Sequence, residues 1–264
     1  MNINTFQVYG ERCSGTNFVI RLLERNVVSA QFTEDYGFKH WFVAEDVTVP
    51  NDCLVVVVQR KLPDYLRSLH RKPWHVVPAL KGLPFSDFIR REWHCWWDED
   101  FWQVDSAHPL YHQEMLHERH PETNERFANV IEMRLHKDAN WEGLAARSAN
   151  AIIVNYEEAA ANPRKFLQAL AHRYHLKLKD TFEPLNDYKG QKETSFVPKT
   201  YDPISTTDQA FINQVKKCVR NDEPVPRFQP RHQRPSKRGA GASRPPQSPK
   251  NNREIRFSFS TRQI

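Results

Sequence analysis

Apolar runs alternate with amphipathic segments along most of the chain, up to about Leu178. The runs CLVVVV and AIIV are rich in β-branched residues and predict strands buried on both faces, the second beginning at Ala151. INTFQVYG predicts a further strand from its looser alternation of apolar and polar positions. Each strand precedes a segment such as FVIRLLERN, whose apolar residues share one helical face. Strands that alternate with helices predict an α/β fold with a mostly parallel central sheet.

Two longer segments between these strands carry helical patterns. FSDFIRREWHCWWDEDFW predicts an aromatic-rich helix that opens at Ser86. ERFANVIEMRLHKDANWEGLA predicts a helix followed by a break near residues 138–140. The aromatic residues of the first segment are Trp93, Trp96, Trp97, Phe101 and Trp102. We interpret this cluster as core, because aromatic side chains dominate core burial, and stacking on a sugar face is the alternative.

Positive charge is concentrated at the C-terminal end of the chain. The whole sequence carries a formal charge of +6, whereas residues 221–264 hold ten Lys/Arg against three Asp/Glu, which is +7. Residues 1–220 therefore carry −1. We interpret residues 1–220 as the folded α/β domain and residues 221–264, rich in Pro, Arg, Ser and Gln, as a disordered basic tail. The tail could contact nucleic acid, another anionic polymer or a membrane surface, or stay solvated with no specific partner. The near-neutral body has no basic stripe that would predict nucleic-acid binding.

Composition also bears on the compartment of the protein. No apolar run approaches the roughly 20 residues of a membrane span. The chain enters its first strand almost at once, so no signal peptide is predicted. The four cysteines, at positions 13, 53, 95 and 218, lie far apart without paired spacing. Such dispersed thiols predict a reduced, cytoplasmic protein.

The first strand leads through the loop GERCSGTN into a helix. A strand, a glycine loop and a helix N-terminus together direct backbone N–H groups and the helix dipole at an anion. Gly10 and Gly15 have the spacing of the ATP-type loop, G-x-x-x-x-G-K-[ST]. The next residues here are Thr16 and Asn17, so the usual lysine and the magnesium-binding hydroxyl are missing. The loop therefore predicts an anion other than an ATP triphosphate.

Two other groups are placed to reach the same edge of the sheet. Arg60 follows the CLVVVV strand, and Ser68 lies eight residues later in the next helix. Arginine suits phosphate because its planar fork makes paired charge-assisted hydrogen bonds. Lys39 and His40 are adjacent in YGFKHWF, and histidine is the natural base near neutral pH. Ligands of parallel sheets bind at the carboxyl ends of the strands, so the loops after the three strands are expected to converge.

In this order the motifs resemble those of sulfotransferases that use 3′-phosphoadenosine 5′-phosphosulfate (PAPS). The phosphosulfate loop of that family contains S-G-T, as in ERCSGTN, and its 3′-phosphate site is an Arg with a Ser eight positions on, as in QRKLPDYLRSLH. Lys and His often lie close together, as in FKHW, and Y-E-[DE] ends a later strand, as in VNYEE. The resemblance covers roughly Val8 to Leu178 and is closest to bacterial carbohydrate- or small-molecule-type members. It implies a three-layer α/β sandwich of the P-loop NTPase-like sulfotransferase fold.

The resemblance implies which residues hold the sulfuryl donor. The 5′-phosphate would be held by the loop that includes Cys13, through the backbone and side chains of Ser14, Gly15, Thr16 and Asn17. Arg60 and Ser68 would hold the 3′-phosphate, and Tyr156 would lie near the adenine. The nucleotide product would be 3′,5′-adenosine bisphosphate. No metal is expected, because there is no γ-phosphate to hold.

The resemblance also implies a catalytic group of three residues. His40 would take the proton from an acceptor hydroxyl while that oxygen attacks sulfur in line. Lys39 and Arg12 would stabilise charge on the transferring group and on the leaving phosphate, as positioned cations do in phosphoryl transfer. The acceptor, a carbohydrate or a small molecule, stays open, as does the oligomeric state.

Three features depart from the family pattern. The family usually has Lys or Arg directly before S-G-T, where this chain has Cys13 with Arg12 one residue earlier, so the leaving-group cation is open. Lys39 and His40 are adjacent, although one residue often separates them in the animal enzymes. The late R-K-G-x-x-G segment of the animal enzymes is echoed only by YKGQKETSF, which makes Lys189 a candidate phosphate contact.

Other functions remain as alternatives. A nucleotide-dependent kinase or NTPase would need a loop lysine and a magnesium carboxylate. A non-catalytic nucleic-acid- or anion-binding protein would act through the basic tail. A zinc helix would read H-E-x-x-H, but here His117 and Glu118 are followed by His120, one residue too early. Cys13 could be a reactive thiol at a helix N-terminus, paired with His40, although the phosphate-site interpretation explains more residues.

Overall fold

The central sheet of the protein is built from β1 (Thr5–Tyr9), β2 (Gln31–Phe32), β3 (Cys53–Gln59) and β4 (Ala151–Asn155). A computed structural model describes residues 2–101, 103–188, 191–195 and 199–227, with backbone alone for residues 188 and 191–195. All four strands are parallel, in the spatial order β2-β1-β3-β4. The predicted α/β fold with a parallel sheet is therefore confirmed.

Helices follow the strands along the chain, as the patterns predict. Their bounds are α1 (Thr16–Asn26), α2 (Leu62–Arg71), α3 (Phe85–Phe88), α4 (Val130–Arg147), α5 (Tyr156–Ala161), α6 (Pro163–Tyr174) and α7 (Thr206–Arg220). Short 3₁₀ turns lie at Pro78–Leu80 and Leu116–Glu118. A small antiparallel hairpin pairs β5 (Asp187–Tyr188) with β6 (Gln191–Ser195).

Both faces of the sheet are covered by helices. Alternate residues of β3 point to opposite faces, as in any strand. Those at positions 54, 56 and 58 pack with apolar residues of α1 and α6. Those at positions 53, 55 and 57 pack with Trp141 and Leu144 of α4. β1 and β3 are thus central and buried, and their carboxyl ends open onto one edge.

The aromatic-rich helix predicted from Ser86 is wrong beyond its first turn. Only Phe85–Phe88 is helical, and the following segment is irregular, tied to distant backbone by isolated bridges from Trp93 to Phe127 and from Trp96 to Glu114. Helical periodicity would spread these rings around a helix, whereas the irregular backbone turns several of them inward. Trp93, Trp97 and Phe101 are buried in the core, which agrees with the core interpretation, while Trp102 lies outside the described residues.

The predicted break near residues 138–140 is also wrong, because α4 runs without interruption from Val130 to Arg147. Its polar residues find partners that do not compete with the helix. Asp138 pairs with Arg134 one turn earlier, at 2.7 Å. The side-chain amide of Asn140 exchanges hydrogen bonds with the backbone N–H and C=O of Val43, at 2.8 and 2.9 Å.

The described residues beyond α7 still pack on the same compact unit as the rest. Arg227 pairs with Glu92 at 3.1 Å and donates a hydrogen bond to the Arg126 carbonyl. The part of the predicted tail from residue 228 onward, and Lys189, lie outside the described residues. Within the described part of the chain, no helix combines the length and the apolar character needed to cross a membrane.

Candidate functional site

Three strand ends converge at the carboxyl edge of the sheet, as the sequence predicts. The loop from Gly10 to Gly15 follows β1, Arg60 follows β3, and Tyr156 follows β4. Nη1 of Arg60 donates a hydrogen bond to the carbonyl of Cys13 at 2.7 Å. The ring of Tyr156 lies directly against Gly15. Residues far apart in the sequence therefore surround one short loop.

The loop ends in a left-handed turn that exposes the start of α1. Cys13 has φ 64° and Gly15 has φ 93°, a conformation that favours glycine. No side chain of the described residues caps α1, and its first residues are the buried Thr16 and the exposed Asn17. The first turn of a helix has N–H groups without intrahelical acceptors, so this uncapped end is suited to an anion.

Beneath the loop lies a cluster of buried charges that the sequence interpretation missed. Nζ of Lys137 contacts carboxylate oxygens of Glu11 at 2.5 Å and of Glu118 at 2.7 Å. The second oxygen of Glu118 accepts from Arg12 at 2.6 Å. All four side chains are at most 5% exposed. Two residues of the loop are thereby fixed to the interior by charge-assisted hydrogen bonds.

The charges of the cluster keep the carboxylate of Glu118 ionised. Burial raises the pKa of Glu118, but the positive charges of Arg12 and Lys137 outweigh burial and hold the pKa below its ordinary value. Ser14 is likewise committed inward, because its hydroxyl accepts from Nη1 of Arg134 at 2.6 Å. The side chains of residues 11, 12 and 14 thus face internal partners. Arg12, predicted to stabilise the leaving group, is placed in this cluster.

The segment with Lys39 and His40 is tied to the loop in both directions. The N–H of Gly10 donates to the carbonyl of Lys39 at 3.0 Å. Nδ1 of His40 lies 2.6 Å from the carbonyl of Gly10. A carbonyl oxygen only accepts, so Nδ1 carries the proton and Nε2 keeps its lone pair. The carbonyl of His40 also accepts from the buried Lys137 at 2.7 Å, which joins this segment to the charge cluster.

At neutral pH the His40 imidazole is in its neutral form, which can accept a proton. Burial lowers its pKa well below the ordinary value, and the charge of Lys39 lowers it further, against the opposing effect of the Gly10 carbonyl. The imidazole is therefore neutral at pH 7. Lys39 itself pairs with Glu34 at 3.3 Å, and both side chains are mostly buried.

Arg60 lies in a slot between two tyrosine rings. Its guanidinium carbon is 5.0 Å from the ring centroid of Tyr156 and 5.5 Å from that of Tyr201. Ser68, in the following helix, lies close enough to the thiol of Cys13 to lower its pKa, and that thiol also lies 3.9 Å from the carbonyl of Lys72. The structure therefore brings Arg60 and Ser68 to the same loop residue, Cys13.

Cys13 lacks the environment of a reactive thiol. Burial raises the pKa of its thiol above the ordinary value, and the hydrogen bond with Ser68 and the charge of Arg12 offset burial only in part. The thiolate is the nucleophilic form of cysteine, so the alternative in which Cys13 attacks a substrate loses its main support. Among the described residues, no cluster of three or more His, Cys, Asp or Glu side chains has the geometry of a metal site.

Two cavities in the described part of the molecule lie away from the loop and from Arg60. One cavity is lined by Glu99, Asp100, Phe101, Gln103, Val104 and Asp105, and the other by Val28, Lys177, Leu178, Lys179, Asp180, Thr181 and Glu183. Ligand contacts at the edge would come from loop backbone and strand-end side chains. Comparison with known proteins adds nothing to this chemistry, since the chain matches no family model, no curated protein and no solved structure.

Proposed function

We propose that the chain is a PAPS-dependent sulfotransferase, which moves a sulfuryl group to the hydroxyl of a carbohydrate or small molecule, and that its α/β domain is a three-layer P-loop NTPase-like sandwich. The observation that carries the proposal is the contact of Arg60 with the carbonyl of Cys13. This contact places Arg60, a residue type suited to phosphate, beside the loop from Gly10 to Gly15. That loop has no lysine and leads into a helix whose N-terminus has no side-chain cap. A ligand with two separate phosphate groups would use both.

The residues present fit such a ligand. Nε of Arg60 is buried and makes no hydrogen bond with the described residues, although Glu157 lies 3.8 Å away. Its guanidinium, together with Ser68, would hold the 3′-phosphate. The backbone N–H groups from Gly15 to Asn17 would hold the 5′-phosphate, and the ring of Tyr156 would contact the adenine. PAPS, when bound, would supply the activated sulfuryl group.

Within this proposal His40 acts as the general base. Nδ1 is fixed by the Gly10 carbonyl, so Nε2 is the nitrogen free to accept the proton of an acceptor hydroxyl. Lys39 would stabilise the charge of the transferring group, which requires it to exchange its partner Glu34. Arg12, paired with Glu118, would support the loop from beneath.

The four cysteines are unpaired thiols, which supports a reducing compartment such as the cytoplasm for this reaction. An ATP-dependent kinase or NTPase is the second class to test. The loop has no lysine of its own, and Lys137 behind it is committed to Glu11 and Glu118. Nucleic-acid binding through the basic tail is the third class, and most of that tail lies beyond the described residues.

Calorimetric titration of the full chain with 3′,5′-adenosine bisphosphate, ATP and an oligonucleotide separates these three classes. We expect the bisphosphate to bind tightest. Arg60→Ala should weaken it by about 1.5–3 kcal/mol, or roughly 10- to 150-fold, and leave adenosine 5′-monophosphate nearly unchanged. Arg173→Ala, an exposed arginine over the ring of Tyr174, is the matched control. Equal losses for both nucleotides would remove Arg60 from the 3′-phosphate site, and a screen of hydroxyl acceptors with labelled PAPS tests transfer itself.

A further inference from the structure

His75 and Asp98 form a largely buried pair in the segment between α2 and α4. Nδ1 of His75 lies 2.6 Å from a carboxylate oxygen of Asp98, and the two side chains are 12% and 9% exposed. Burial raises the pKa of Asp98, but the hydrogen bond and charge of His75, together with the charge of Lys81, outweigh burial and hold that pKa below its ordinary value. An ionised carboxylate only accepts hydrogen bonds, so Nδ1 of His75 carries a proton.

The other ring nitrogen of His75 is left for a ligand. Nε2 forms no hydrogen bond with the described residues. It accepts a hydrogen bond when the imidazole is neutral and donates one when the imidazole is protonated. A hydroxyl group both donates and accepts, so it can bind Nε2 in either state. Because Asp98 holds the opposite ring nitrogen, it also fixes the direction in which Nε2 points.

The backbone around His75 borders the loop that follows β1 at two points. The carbonyl of Lys72, three residues before His75, lies 3.9 Å from the thiol of Cys13. The residue after His75 forms an isolated β-bridge with Cys95, whose thiol lies 3.4 Å from Nη2 of Arg12. Cys13 and Arg12 both belong to that loop, so the His75 segment is packed against the candidate site.

Two phenylalanine rings connect His75 with His40. The ring centroid of Phe101 is 5.2 Å from that of His75 and 5.5 Å from that of Phe38. The ring of Phe38 in turn lies 5.2 Å from the ring of His40. In both histidines an oxygen atom holds Nδ1, which leaves Nε2 for a ligand. An apolar stretch between two imidazole nitrogens matches a molecule in which C–H groups separate several hydroxyl groups.

We propose that His75, oriented by Asp98, binds a second hydroxyl group of the acceptor while His40 takes the proton of the first. The acceptor is then a polyhydroxy compound of the sugar class rather than a monohydric alcohol. His75 determines specificity because it contacts the acceptor, and Asp98 is a positioning residue because it acts through His75. The role of His40 rests on the proposed function, whereas the hydroxyl-binding site rests on the geometry of His75 and Asp98.

The first measurement uses the full chain with isotopically labelled histidine. The Nε2 resonance of His75, assigned from its loss in His75→Asn, is followed by NMR during titration with glucose, N-acetylglucosamine and propan-1-ol. We expect both sugars to shift this resonance and the alcohol to leave it in place. A resonance that neither sugar shifts, or that propan-1-ol shifts equally, would overturn the proposal without recourse to any variant.

The second measurement follows transfer from labelled PAPS to the sugars. His75→Asn should raise the KM for sugar at least tenfold and change kcat less than threefold, since asparagine can still donate to Asp98 but offers no group in place of Nε2. Asp98→Asn should raise the KM as well, because the imidazole loses its fixed orientation. His70→Asn is the matched control, since His70 is a half-buried histidine whose Nε2 contacts the carbonyl of Leu83 at 2.7 Å. Melting curves check that each variant is folded.

The outcomes separate this inference from the proposed function. If a sugar is sulfated and a folded His75→Asn variant keeps the wild-type KM, the pair is only a structural tie, and the sulfotransferase proposal stands without it. If the sugars shift the His75 resonance but labelled PAPS yields no sulfated product with any acceptor, the hydroxyl-binding site stands and the proposed function fails.

Discussion

The ring of Tyr156 occupies the space into which a side chain at Gly15 would project. A Cβ built on Gly15 would lie 2.5 Å from Cε2 and 2.8 Å from Cγ of Tyr156, and closer still to Cδ2. The end of β4 and the end of the loop from Gly10 to Gly15 are therefore in direct contact. The same ring packs edge-on against Phe18 in α1 and beside the guanidinium of Arg60. Glycine at position 15 is required by space as well as by its left-handed φ.

Gly15→Ala should destabilise the protein more than the same change at a matched glycine. The left-handed φ costs alanine about 1–2 kcal/mol, and overlap with the tyrosine ring adds about 1–3 kcal/mol. Gly82→Ala is the control, because Gly82 has φ 79° and open space where its Cβ would lie. The free energies of unfolding are measured by denaturant titration. Equal losses at both positions would mean that the Tyr156 ring yields freely, and Tyr156→Ala should rescue part of the Gly15→Ala loss.

Glu118→Gln should be strongly destabilising, because it leaves Arg12 and Lys137 buried with one carboxylate fewer. Breaking a buried ion pair costs about 3–5 kcal/mol. Glu183→Gln is the control, since its pair with Lys179 is exposed and worth at most about 0.5 kcal/mol. A difference of less than about 1 kcal/mol between the two variants in chemical denaturation would argue against a supporting role for the cluster.

The same variant should change how stability depends on pH. The pKa of Glu118 is depressed in the folded protein, so its contribution is present above the unfolded pKa of about 4.3 and is lost as the pH falls through the lower folded pKa. The stability difference between wild type and Glu118→Gln should therefore be largest near pH 7 and shrink below about pH 4. Unfolding curves between pH 3 and 7 measure it, and a gap that is constant with pH would contradict an ionised Glu118.

His40→Asn should lower turnover by roughly 10²–10⁴-fold while cofactor affinity stays close to the wild type. The asparagine amide can still donate to the Gly10 carbonyl in place of Nδ1, so the loop contact is retained while the base is lost. His40→Ala removes both, and a further fall in affinity for the bisphosphate would measure the loop contact. A folded His40→Asn variant with full turnover would exclude His40 as the base.

The pH profile of the wild type gives an independent test of His40. Its pKa lies well below the ordinary value of 6.5, and the neutral form that acts as base is present above that pKa. Protonation of His40 should therefore not reduce turnover at or above about pH 6.5, and the acid-side decline in turnover should begin only at clearly lower pH. An acid limb centred at or above pH 6.5 would mean that another group, or a charged His40, controls the reaction.

A chain that ends after Arg227 should fold and bind 3′,5′-adenosine bisphosphate as the full chain does. The described contacts of the C-terminal segment end with the pairing of Arg227 and Glu92. Ending the chain after Arg220 also removes Val225, which packs against the core, and all contacts of Arg227, so it should cost about 1–3 kcal/mol in stability. Calorimetry and melting curves of both shortened chains are the measurements. A tenfold loss of affinity after Arg227 would show that the basic tail takes part in the site.

The strands and the convergence of their loops could be predicted because they depend on local pattern. β3 is a run of β-branched residues, and parallel strands bring their carboxyl ends together whatever the rest of the chain does. Helix breaks could not be predicted in the same way. Asp138 and Asn140 look like helix-breaking residues, yet one oxygen of Asp138 pairs with Arg134 and the amide of Asn140 bonds the backbone of Val43 without ending α4.

The charge cluster could not be predicted for a different reason. Lys137 and Glu11 are 126 residues apart. The local sequence around each of them predicts an exposed side chain. Nothing local distinguishes a lysine that pairs inside a core from one in water. A clue existed only in the loop itself, where Glu11 and Arg12 stand next to the first glycine between a buried strand and an amphipathic helix.

Because the side chains of residues 11, 12 and 14 point toward the interior, the surface left by the loop for an anion is made largely of main chain. Main-chain N–H groups are the same for nearly every residue type. Binding of an anion by this main-chain surface would therefore depend little on which side chains the loop carries. A variant that replaced an inner pair as a unit, for example Glu118 and Arg12 together, would leave the main-chain surface of the loop unchanged. The left-handed turn at Gly15 is the part of the loop that does depend on residue type, because only glycine adopts its φ of 93° without strain.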